Sequence, residues 1–175
     1  MGVGPLSLPV DVRSLPKLGH RERHSASEDE RRRLAALNDL AAVPRFDLDV
    51  LVEKWRSDGV KITGRAEADV VQSCVVTLEP VENALEFEID ATFVPEGSKL
   101  SGVSLSELVL DPDGDDPPEA FDGVSIDVGA LASELFSLSL DAYPRAEGAT
   151  LPDSARDDTA TNPFAALGAL KDKKG

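Results

Sequence analysis

Cys74 is the only cysteine in this 175-residue chain, and His20 and His24 are its only histidines. One thiol cannot form an internal disulfide. With two histidines about fifty residues upstream, it cannot supply the four Cys or His ligands a structural zinc ion takes. A nucleophilic or redox-active thiol needs a base beside it, and both histidines fall in a polar stretch expected to be mobile. Cys74 therefore reads as a small apolar residue on the inner face of a strand. Asp111-Pro112-Asp113-Gly114-Asp115-Asp116 begins like a calcium loop. Its glycine is fourth instead of sixth, however, and Asp122 stands where a bidentate glutamate belongs, so the segment reads as a solvated acidic loop. No phosphate-binding glycine loop and no Gly-x-Ser-x-Gly elbow occurs. The expectation is a protein that is not an enzyme and takes no metal, cofactor or small-molecule substrate.

Binding chemistry is more visible. The net charge is −15, which argues against a broad nucleic-acid footprint and suits a basic protein partner. The charge is uneven. The stretch from Arg13 to Arg33 is net +3, the tail from Lys171 to Lys174 is net +2, and the rest of the chain carries −20. Arg21, Arg23, Arg31, Arg32 and Arg33 make up the candidate basic contact. Two readings stand for them, a solvated helix start and a binding patch. Trp55, the only tryptophan, lies on the polar parity of its strand, either covering the turn or acting as an exposed anchor. Arg65 on the neighbouring strand is placed to stack on it.

The elements that would position these groups follow from periodicity. Leu6, Leu8, Val10 and Val12 alternate with polar residues and predict a short edge strand, since Pro9 cannot donate to a ladder. Ser27-x-x-Glu30 is a capping box opening an amphipathic helix to about Ala42, with Leu34, Leu37 and Ala41 on one face. Three arginines in its first turn would oppose the helix dipole, mild support for a partner there. Phe46 to Val52, Val60 to Leu78 and Leu85 to Phe93 alternate with charged residues. They are joined by a turn at Ser57-Asp58-Gly59 and another at Glu79-Pro80, and so predict an antiparallel meander with one wet face. Gly64 suggests a bend or bulge. Asp127 caps a second helix with Val128, Leu131, Ala132, Leu135, Phe136 and Leu138 on its stripe. The fold expected is α+β: an antiparallel β-sheet, curled or partly barrel-like, packed with two amphipathic helices. It forms one domain over residues 1–144, with an acidic loop at about 95–122. A flexible linker over 145–161 and a short terminal helical motif over 162–171 follow. Residues 98–120 and 145–160 are expected to be mobile.

That terminal motif reads Asn162-Pro163-Phe164-Ala165-Ala166-Leu167-Gly168-Ala169-Leu170-Lys171. Asn162 suits an N-cap and Pro163 the first helical position. Phe164, Leu167 and Leu170 follow at helical spacing. So short a helix is not stable alone, so the segment must dock on its own domain or on a partner.

An Asn-Pro-Phe-Ala-x-Leu-x-x-Leu-Lys terminus resembles the C-terminal signature of the bacterial YceD family. Two more stretches agree in order: Gly64 to Cys74 is similar to the strand leading into the family's Cys-x-x-Cys. Gly123-Val124-Ser125-Ile126-Asp127-Val128 through Tyr143-Pro144 is similar to its later block. The resemblance covers about residue 60 to the end. It implies a ribosome-assembly factor that supports accumulation of large-subunit ribosomal RNA. Its partner would be a ribosomal protein or pre-ribosomal particle, with ribosomal RNA as the alternative contact through Arg21 to Arg33. Candidate partner-binding residues are those arginines, Trp55, Arg65, Asn162, Pro163, Phe164, Leu167 and Lys171. Cys74-Val75-Val76-Thr77 departs from Cys-x-x-Cys, so no zinc is expected even if relatives hold it. No run of 18 apolar residues and no signal-peptide core is present, and the expected location is the cytoplasm.

Overall fold

Three long runs of alternating apolar and charged residues build the centre of the molecule. The computed structural model describes residues 4–98 and 118–150. Strands β3 (Ala42–Trp55), β4 (Gly59–Ser73) and β5 (Pro80–Pro95) form the expected antiparallel meander. Their inward residues Phe46, Leu48, Val50, Val52, Val60, Ile62, Ala66, Ala68, Val70 and Ile89 are buried. Most of their outward neighbours are charged, as a period of two allows in a sheet with one wet face. Two flanking strands complete a five-stranded sheet of order β2-β3-β4-β5-β6, with β2 (His20–Ser25) antiparallel to β3 and β6 (Glu119–Phe121) parallel to β5. Among the described residues the sheet is open: β2 and β6 are its two edges and do not pair. Closure into a barrel is therefore not found.

A smaller sheet pairs β1 (Pro9–Asp11) with β7 (Ser125–Asp127), setting buried Val10 opposite buried Ile126. Helix α1 (Glu28–Leu37) packs on β3, and α2 (Val128–Ser139) packs on β5 and β1. The deepest contact is aromatic. Phe136 of α2 meets Phe46 of β3 edge-to-face at 5.7 Å, and Phe46 lies 6.5 Å from Phe87 of β5, within the favoured range for such pairs.

Several expectations are corrected. Helix α1 stops at Leu37, not near Ala42. The Asn38 main-chain N–H and side chain both return to the Leu34 carbonyl, and Asp39 turns left-handed at φ 53°. Ala41 and Ala42 are then claimed by pairing with Val71. Only Leu34 of the expected apolar face is buried; Leu37 is exposed. The first turn of α1 holds Glu28, Asp29 and Glu30. The arginines start a turn later, so the dipole is complemented and not opposed. The stretch around His20 and His24 is an ordered edge strand. Gly64 is no bulge, since the register runs through it unbroken on both sides; the irregularity lies between Ala42 and Arg45. Glycine is needed at 64 because a Cβ there would lie 2.2 Å from the Asp49 carbonyl oxygen. Strand β4 ends at Ser73 and does not run to Leu78. Leu138 points to solvent. Within the expected loop over 95–122, Glu119–Phe121 pairs with the end of β5. The bulk of that loop, most of the linker and the whole terminal motif lie outside the described residues. No described helix is long and apolar enough to cross a membrane.

Candidate partner-binding surface

The outer face of the large sheet carries the exposed chemistry. Its registers line up side chains from strand to strand in rows. One row reads Arg23, Asp49, Arg65, Glu88 across β2 to β5, alternating in sign. The next reads Ser25, Asp47, Glu67, Glu86, three carboxylates on adjacent strands. Like charges directly opposite destabilise a sheet, and two arginines from the flanking rows offset this. The Arg45 guanidinium donates to Asp69, Asp47 and Glu67 at 3.0 to 3.1 Å. Its pKa is raised by those hydrogen bonds, Asp69's the largest. Arg65 lies 3.6 Å from Glu86. Asp47 is held below the usual carboxylate range, chiefly by the Ser25 hydroxyl at 2.6 Å.

The basic segment is largely engaged within the molecule. Arg21 grips Asp49 with two hydrogen bonds at 2.7 and 2.6 Å, and Arg23 adds a third at 3.2 Å. Asp49 is lowered to about 2, with the Arg21 hydrogen bond as the largest cause. Arg31 donates to the Ala26 carbonyl at 2.6 Å and Arg33 to that of Pro5 at 3.1 Å. Arg32 pairs with Glu28 and Asp29 along its own helix. His20 and His24 each sit 3.0 Å from a glutamate, Glu22 and Glu30 respectively. The segment is thus not one continuous patch: Arg21 and Arg23 project from an edge strand, while Arg31, Arg32 and Arg33 belong to a helix.

Trp55 closes the β3–β4 hairpin opposite Gly59 and covers the turn, as one reading of the sequence had it. The cation over its ring is Arg56, 4.1 Å from the centroid. Arg65 pairs with Asp49 and Glu88, six residues along β4 from Gly59, so its stacking on Trp55 is not found. Asn162, Pro163, Phe164, Leu167 and Lys171 lie outside the described residues.

Cys74 is buried, as expected, but in the turn after β4 and not within the ladder. Its Sγ accepts main-chain N–H groups of Val76 and Thr77 at 3.4 Å and of Ala146 at 3.3 Å. The thiol is lowered to about 6, most by the Thr77 hydroxyl and then by the Ala146 and Thr77 amides; burial opposes this and is outweighed. Thr77 stands where the resemblance places a second cysteine. Among the described residues no group of three or more His, Cys, Asp or Glu is arranged to hold a metal ion. Sequence reasoning missed this thiol environment and the acidic row, because both depend on which residues the register and the chain's return bring together.

An open sheet with one face under two helices and a charged outer face defines an α+β protein whose exposed chemistry is electrostatic. Residues 62–171 match the family model described as large ribosomal RNA subunit accumulation protein YceD. That is more than half of the chain, and the chain belongs to the YceD family. Arg65 and residues 162–171 fall within the match; Arg21 to Arg33 and Trp55 precede it. No curated protein and no solved structure matches the chain.

Proposed function

We propose that the chain is a non-enzymatic ribosome-assembly factor, acting in the cytoplasm without a cofactor. It supports accumulation of large-subunit ribosomal RNA by binding a basic ribosomal protein or a precursor particle. The observation that carries this, beside the family, is the row Asp47, Glu67, Glu86. Three carboxylates stand side by side on the exposed sheet face with only two arginines, Arg45 and Arg65, among them, so the row keeps a negative charge that suits a lysine- or arginine-rich partner. The alternative is direct RNA binding through Arg21 to Arg33. Its arginines are split between an edge strand and a helix in a chain of net charge −15, which favours the protein-mediated reading.

Co-sedimentation with precursor particles from lysate tests both. The double variant Glu67→Lys, Glu86→Lys should lose association, and a strain carrying it should accumulate less large-subunit RNA. Retained association would defeat the sheet-face reading. Tight, steeply salt-dependent binding of the isolated protein to naked ribosomal RNA, lost in Arg21→Ala, Arg23→Ala, would install the alternative.

A further inference from the structure

A groove of about 650 Å³ opens where the C-terminal ends of α1 and α2 meet the turn after β4. Its wall mixes apolar Leu40, Val75, Leu140 and Pro144 with polar side chains, Asp39 and Asp141 included. Of the large apolar side chains exposed among the described residues, Val75 is in the wall. A concavity with apolar side chains set among a few polar ones suits a short docked segment.

We propose that this groove is the seat of the chain's own residues 162–171. The chain itself supplies three arguments. Phe164, Leu167 and Leu170 recur every third residue, so as a helix they would present one apolar edge to a groove. The tether is long enough. The last described residue, Thr150, is six positions beyond Pro144, which lines the groove. The fourteen residues from there to Phe164 reach up to about 46 Å extended and about 20 Å on average. Such a tether holds the motif at an effective concentration on the order of millimolar, so a weak contact stays substantially occupied. The charges also match: Lys171, Lys173 and Lys174 follow the apolar residues, and the groove presents Asp39 and Asp141.

The test compares amide spectra of the full-length protein, isotopically labelled, with those of Phe164→Asp, Leu167→Asp. We expect shifts confined to residues 38–41, 72–75 and 137–144. The reciprocal variant Val75→Asp should move the signals of residues 164–170. Val75 is 47% exposed, so this change leaves the core untouched. Unchanged groove signals, or changes elsewhere on the domain, overturn the proposal. Shifts that fade on dilution also overturn it, since the motif would then sit in a second copy. Because the experiment uses the isolated protein, it stands apart from the ribosomal reading, and either can fail without the other.

Discussion

A sulfur beside the Thr77 hydroxyl that also accepts three main-chain N–H groups ionises more readily than a free thiol. At Cys74 the folded value is about 6, against about 8.5 for an unfolded thiol. A depressed value favours the ionised, folded state, so its contribution is complete above about pH 8.5 and is lost as pH falls through about 6. The stability difference between wild type and Cys74→Ala, from urea midpoints, should therefore shrink from pH 8.5 to pH 6. A difference constant across that window would contradict the lowered value. Gly64 bears a steric constraint of another kind. A methyl group there meets the Asp49 carbonyl and the Val50 Cα, both main-chain atoms that cannot rotate aside. Gly64→Ala should cost about 2–4 kcal/mol, in the range of overpacked or strained core sites, read from the same denaturation curves.

Helix α2 is fixed at both ends of its apolar stripe. At its N-terminus the Asp127 carboxylate accepts from the Ala130 N–H at 3.0 Å, and also from the Leu8 N–H and Ser7 hydroxyl at 2.8 Å. One side chain caps the helix and ties down the N-terminal segment. Asp127→Ala should cost more than an isolated cap, about 2 kcal/mol. Phe136→Ala should cost about 3–5 kcal/mol, while Leu138→Ala should leave the melting temperature nearly unchanged; equal effects would refute the packing described. The capping aspartate, the capping box at Ser27 and Glu30, and the three long strands were legible in the residues, because each is a local pattern. The end of α1 was not. Leu37 and Ala41 continue the helical period, and only pairing of Ala42 with Val71, 29 positions away, takes the chain out of the helix. Strands β2 and β6 were missed for related reasons. His20 to Ser25 has no apolar residue to betray a strand, and Glu119 to Phe121 is ordered by parallel pairing with a distant segment. The partner-binding residues were legible as residue types. Their actual companions, Asp49 for Arg21 and Arg56 for Trp55, came from register.

At the scale of the whole molecule, the sequence sets a domain over residues 1–144 apart from an expected terminal motif over 162–171, with an expected linker between them. Truncation after Thr161 should keep a cooperative melting transition with a small decrease in midpoint, yet abolish co-sedimentation with precursor particles. Loss of cooperativity would make the motif part of the core. Full co-sedimentation would move the contact to the sheet face alone. Among the described residues the two edges of the large sheet also bear on how copies of this protein would meet. Strand β2 alternates Arg21 and Arg23 outward with His20, Glu22 and His24 inward, and β6 is only three residues long. Ionisable side chains on both faces of one edge, and brevity at the other, deny an incoming strand a favourable template. A protein with three strands of 14 to 16 residues would otherwise be a natural seed for fibrils. It should remain clear in solution through refolding at high concentration, and replacing Arg21, Glu22 and Arg23 by valine and threonine should make it precipitate.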